Sequence, residues 1–113
     1  MGKVSFEDIG AVVATFAADE GVKGGQVVKL TGNGTVGPCG AGDAFCGVAL
    51  EPRQGGAAVQ VKGFAGVKAS GELSVGWAAL AADGAGGVKP AAAGGVQALV
   101  VSVGGDGSAV VCL

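Results

Sequence analysis

Apolar and polar residues alternate most regularly across residues 58–68. Val59, Val61, Ala65 and Val67 fall on one face, with Gln60, Lys62 and Lys68 on the other. A period of two marks a strand with one face on the core and one in water, so this segment is predicted as a single strand. Phe64 lands on the polar face. Gly63 and Gly66 beside it predict a bulge that re-aims the ring, the alternative being an exposed anchor for a partner. Shorter apolar runs bounded by glycine predict further strands at 11–16, 26–30, 45–50, 73–82, 87–90, 97–103 and 108–113. Asn33-Gly34 is a strong hairpin signal, Gly104-Gly105-Asp106-Gly107 turns the last hairpin, and Pro90 places the 87–90 strand at a sheet edge. In the closing strands both faces are apolar, Leu99, Val101 and Val103 against Ala98 and Val100. That pattern predicts burial on one side by the core and on the other by a neighbouring subunit.

Composition sharpens this picture. The chain has 113 residues, one domain's worth, and 25 of them are glycine. Glycines without a triplet period belong in turns and at crowded backbone positions, and they disfavour long helices. The expected fold is all-β: a compact β-barrel or β-sandwich of short strands joined by Gly-rich turns, with little helix. Residues 1–20 are expected to form an N-terminal arm or a first strand, and residues 21–113 a single β domain. Net charge is −2 with 14% charged residues, so no basic patch is available to neutralise a run of phosphates and nucleic acid is not an expected partner. No apolar run reaches the length of a bilayer span, so no membrane partner is expected either. The first residues lack the charged-then-apolar order of a signal peptide, which points to the cytoplasm as the place of synthesis. A small, apolar, weakly charged domain must cover part of its surface, and other copies of itself are the simplest cover.

Candidate chemistry is sparse. There is no histidine, which removes the usual general base, the commonest metal ligand, and every Ser-His or Cys-His nucleophile within one chain. Cys39, Cys46 and Cys112 match no zinc spacing and are expected as buried free thiols rather than a disulfide or metal site. The acidic residues Glu51, Glu72, Asp83 and Asp106 sit at turns, where solvation accounts for them. No cofactor and no metal are expected.

Gly40-Ala41-Gly42-Asp43-Ala44-Phe45 resembles the Gly-Ala-Gly-Asp motif of ribokinase-like sugar kinases, in which the aspartate is the catalytic base. A phosphoryl-transfer site also needs a nucleotide pocket, metal ligands and a helix opening at the motif. Here the Glu51-Pro52-Arg53-Gln54-Gly55-Gly56 segment would break such a helix within two turns. The hexapeptide is therefore read as a glycine turn delivering Phe45 and Cys46 into a strand, with Asp43 a solvated turn residue.

From Gly24 to Leu113 the order of features resembles the small capsid decoration, or cement, proteins of tailed bacteriophages and prophages. The segments carrying the likeness are Gly24-Gly25-Gln26-Val27-Val28-Lys29-Leu30, Phe45-Cys46-Gly47-Val48-Ala49-Leu50-Glu51, Val59-Gln60-Val61-Lys62-Gly63, Val75-Gly76-Trp77 with the 83–88 turn, and the closing apolar strands. The resemblance implies an all-β, non-enzymatic homo-oligomer, a trimer, that binds the major capsid protein on the outside of an assembled shell and stabilises it. It implies a place on the virion surface after synthesis in the host cytoplasm. Large aromatics dominate desolvated contacts, so Phe6, Phe16, Phe64 and Trp77 are the candidate interface residues, although core positions are the simpler expectation for Phe16 and Trp77. The rival from another class is a small ligand- or glycan-binding β module, which would need a concave site with converging polar and aromatic groups.

Overall fold

A computed structural model describes residues 11–53, 56–91 and 94–113 of the chain. Ten strands follow one another: β1 (Val12–Ala18), β2 (Val27–Gly32), β3 (Thr35–Pro38), β4 (Gly47–Arg53), β5 (Gly56–Lys62), β6 (Phe64–Lys68), β7 (Gly76–Ala82), β8 (Val88–Pro90), β9 (Val96–Val103) and β10 (Ser108–Cys112). The fold is all-β, with no helix among the described residues.

The first five strands close into a barrel in the order β1-β3-β2-β4-β5. The β2–β3 hairpin turns on Asn33-Gly34, and Gly34 takes φ +62°, the left-handed geometry such a two-residue loop requires. Closure depends on β1, which pairs parallel with β3 and antiparallel with β5, from Val12↔Lys62 to Ala17↔Gly56. Barrel closure removes the exposed strand edges that invite aggregation. The β4 strand runs three residues past its expected end, through Pro52. Its pairing with β5 shifts register between Ala49 and Pro52, and that irregularity accommodates a residue with no N–H to donate.

The remaining strands form a second sheet in the order β6-β10-β9-β7-β8, with β8 at an edge as Pro90 predicts. A parallel bridge, Ala69↔Val88, draws the two ends of this sheet toward each other, with Ser70 N–H donating to the Val88 carbonyl at 2.8 Å. The two halves have separate cores. Val28, Val36, Ala49, Ala57 and Val59 fill the barrel. Leu80, Val88, Ala98, Val100 and Val111 fill the second, joined by Val27, Phe45 and Val48 reaching over from the barrel strands and the turn before β4.

The alternating segment 58–68 is two strands rather than one. At Gly63, where φ is +98°, the chain leaves the barrel and enters the second sheet. The apolar face is continuous in parity but serves both cores: Ala57 and Val59 in the first, Ala65 and Val67 in the second. Pairing of β6 with β10 is unbroken from Ser108↔Lys68 to Cys112↔Phe64. The expected bulge around Phe64 is therefore a change of sheet at Gly63 instead, and Gly66 is an ordinary strand residue.

Candidate functional site

Strand pairing places four large or polarisable side chains in one row. Phe64 lies opposite Cys112, Cys112 opposite Leu99, and Leu99 opposite Trp77, so the row crosses β6, β10, β9 and β7 in turn. Directly paired residues project from the same face of a sheet. Their chain neighbours Ala65, Val111, Ala98 and Val100 are buried in the core, so the row faces outward. Trp77 is 75% exposed, while Phe64, Cys112 and Leu99 are half-buried. Val75 beside it is also exposed.

The expectation of a core Trp77 is corrected by this geometry. Leu80 and Ala82 point inward from β7, and a period of two then sends Trp77 outward. The expected two-sided cover of the closing strands divides the same way. Ala98, Val100, Ala109 and Val111 are buried, whereas Leu99, Val101, Val110 and Cys112 stay partly open. Phe16 is half-buried against the barrel core and does not join the row. Phe6 lies outside the described residues. Of the four candidates, the fold thus brings Phe64 and Trp77 to one surface, with Leu99 and Cys112 between them. Neither of those two was singled out from sequence as an interface residue, because both faces of β9 and β10 are apolar and alternation cannot rank them.

Clefts lined by described residues include the following two. One, about 290 Å³, runs along β6 where it passes β4, and Val48, Leu50, Gln60, Phe64 and Gly66 are among its walls. The other, about 520 Å³, lies against the barrel between Thr15, Leu50, Glu51, Gly56, Ala57 and Ala58. Its size suits a small ligand, but these walls offer one carboxylate and no aromatic ring on which a sugar could stack.

The Gly40–Phe45 hexapeptide is a turn leading into β4. Asp43 accepts a hydrogen bond from the Gly40 N–H at 2.8 Å and forms an ion pair with Lys29 Nζ at 2.7 Å. Gly42 N–H donates to the Ala82 carbonyl, and Ala82 N–H donates to the Asp43 carbonyl. The turn therefore stitches the barrel to the end of β7, and its carboxylate is spent on local structure. The Lys29 ammonium and then the Gly40 N–H hold the Asp43 carboxyl below its ordinary range, and the Asp43 partner raises Lys29. Because the folded-state carboxyl is depressed, the pair contributes stability above the unfolded carboxylate range of about 4 and loses it as pH falls through the folded value. Asp43→Asn should lower the melting temperature slightly at pH 7, since an exposed pair is weak. The gap to wild type should close in strong acid; a gap that stays constant with pH would exclude the ion pair as its cause.

Asp83 is handled similarly. Partial burial pushes its carboxyl up, but hydrogen bonds from the Ser70 hydroxyl and the N–H groups of Ala85 and Gly87 outweigh it and leave it lowered. All three cysteines are free, though half-buried rather than fully buried as expected. Burial, and next the Asp43 carboxylate, push the Cys39 thiol up to about 11; burial also raises Cys46. Both are therefore protonated and poorly nucleophilic at neutral pH. Among the described residues no cluster of three metal-ligating side chains occurs. Comparison with known proteins finds no family model and no curated protein that matches this chain.

Proposed function

We propose that this protein is a structural decoration protein of a tailed-phage or prophage capsid, binding the outside of the assembled shell and stabilising it without chemistry. The observation that carries this reading is the outward row Phe64–Cys112–Leu99–Trp77 on a sheet backed by a filled core. An uncharged row with a largely exposed tryptophan is a protein-contact surface. The order of strands and glycine turns from Gly24 to Leu113, which resembles the capsid cement proteins, supports the same reading. In it the protein acts as a homo-oligomer, a trimer, whose partner is the major capsid protein on the virion surface.

Stabilisation follows from mass action. A ligand that binds the assembled shell and not its dissociated subunits shifts the equilibrium toward assembly, and a lattice of repeated sites makes modest single-site affinity sufficient. The test is co-sedimentation with expanded, undecorated capsids of the phage that encodes it. The protein should pellet with the shells, saturate, and raise the temperature at which they come apart. Protein that stays in the supernatant at every concentration would refute the proposal.

A further inference from the structure

Asn33 is the single asparagine of the chain, and Gly34 follows it at the tip of the β2–β3 hairpin. Gly32, Asn33 and Gly34 are all exposed. Among the described residues the Asn33 side chain makes no hydrogen bond and the Gly34 N–H donates none. Only the Asn33 carbonyl is engaged, accepting from the Thr35 hydroxyl at 3.2 Å. A thermolabile side-chain amide is therefore free beside a main-chain nitrogen whose residue has no side chain to crowd its approach. The Gly34 carbonyl is placed differently. It accepts the Ala17 N–H at 2.9 Å, and the Asp19 N–H donates to the Val36 carbonyl, also at 2.9 Å. These bonds accompany the two residue pairs, Ala17↔Thr35 and Ala18↔Val36, through which β1 meets β3. The seam that closes the barrel thus starts on the dipeptide that carries the free amide.

We infer that Asn33-Gly34 is a site of spontaneous deamidation, and that its isoaspartyl product opens the β1–β3 seam of the barrel. The Gly34 nitrogen attacks Asn33 Cγ. The new N–Cγ bond closes a succinimide ring, the Cγ–Nδ2 bond breaks, and the proton lost from the Gly34 nitrogen leaves with ammonia. Water, the only co-reactant, then opens the ring. Its attack at Cγ restores the ordinary backbone with aspartate at position 33. Its attack at the main-chain carbonyl carbon leaves the chain running through Cβ and Cγ, one carbon longer, with the α-carboxylate as the new side chain. Aspartate suits a two-residue turn before glycine as well as asparagine does, so the first product keeps the hairpin. The second lengthens a loop in which Gly34 holds φ +62°, and it carries the Gly34 carbonyl away from the Ala17 N–H.

Asp83-Gly84 and Asp106-Gly107 could close the same ring. Their carboxylates are ionised at neutral pH, which makes them poor electrophiles, and both are held by hydrogen bonds. Asp83 accepts from the Ser70 hydroxyl and the N–H groups of Ala85 and Gly87, and Asp106 from the Ser108 hydroxyl. Asn33 therefore reacts first.

The test ages the folded chain in mildly alkaline buffer until a free peptide of residues 27–38, kept beside it, has reacted. The protein fragment holding Asn33 and Gly34 should then gain the mass difference between O and NH, and an isoaspartyl methyltransferase should label it. Asn33→Gly, which keeps a left-handed turn and lacks the amide, should gain neither mass nor label there. In the isoaspartyl form the Ala17 and Asp19 amides should exchange hydrogen at least about tenfold faster than in the unmodified protein. Asn33→Asp, which adds the charge without lengthening the chain, should leave their exchange unchanged. A folded chain that keeps Asn33 intact after the peptide has reacted overturns the inference. So does reaction at Asp83 or Asp106 ahead of Asn33, or an isoaspartyl form in which Ala17 exchanges as before.

Discussion

Replacing Leu80 by Ala should cost about 2–5 kcal/mol of stability. Leu80 is fully buried and is the largest such side chain in the second core. It sits near the middle of that core, in β7 between β8 and β9, paired with Pro90 and Val96. Truncation loses the transfer energy of three carbons and leaves a cavity that the framework cannot easily close. The opposing strands are tied by backbone ladders, and Gly95 already approaches the Leu80 carbonyl so closely that an added Cβ there would sit 2.9 Å from it. Domains of this size are stable by only about 5–15 kcal/mol, so the loss is a large share of the total. Urea unfolding should show a lower midpoint with an unchanged slope, and melting should fall by at least about 10 °C. A loss under about 1 kcal/mol would contradict the placement of Leu80 at the centre of a packed core.

Gly47→Ala should destabilise the barrel by about 1–3 kcal/mol through overpacking. A Cβ at Gly47 would lie 2.5 Å from the Gln60 carbonyl oxygen and 2.7 Å from Val59 Cγ1. The first is backbone within the β4–β5 ladder, and Val59 is fully buried in the barrel core, so neither steps aside. Gly47 does not need a left-handed backbone; its constraint is space alone. The methyl group would force β4 away from β5 and open the barrel seam where Val48 pairs with Gln60. Gly66 is the control. Its Cβ would meet open space, so Gly66→Ala should be neutral or slightly stabilising by restricting the unfolded chain. Equal effects at the two sites, measured by chemical denaturation, would show that strand propensity and not crowding governs both.

These two positions also show how far a linear reading reaches. Leu80 falls inside a strand that the glycine at 71 and the Asp83-Gly84 turn delimit in the sequence, and the structure places it in β7. Gly47 looks like any other glycine of an apolar run. Its role comes from the register of β5, the next strand in the chain, which sets the Gln60 carbonyl against it after the shift between Ala49 and Pro52, and no side-chain pattern gives that register. The same contrast separates the two aromatic residues of the outward row. Phe64 stands out because it breaks an alternation of valine and lysine. Trp77 does not, because Ala78, Leu80 and Ala82 on one face of β7 are no more apolar than Trp77, Ala79 and Ala81 on the other. Where both faces are apolar, a period of two carries no information about which one is inside.

By itself, then, the sequence determined the all-β class, most of the strands, and the turns at Asn33-Gly34 and Gly104–Gly107. These rest on short-range physics: side-chain alternation, β-branched packing, and glycine where a turn needs φ above zero. It also determined that Gly40–Phe45 is a turn, since the residues after it cannot continue a helix. Only the tertiary structure decided that the chain changes sheet at Gly63, that β1 closes a barrel through a parallel pair with β3, and that Trp77 faces water. Each of those depends on which distant strand lies alongside. Backbone ladders between remote segments are bought by the burial of two separate cores, and no local pattern encodes that choice.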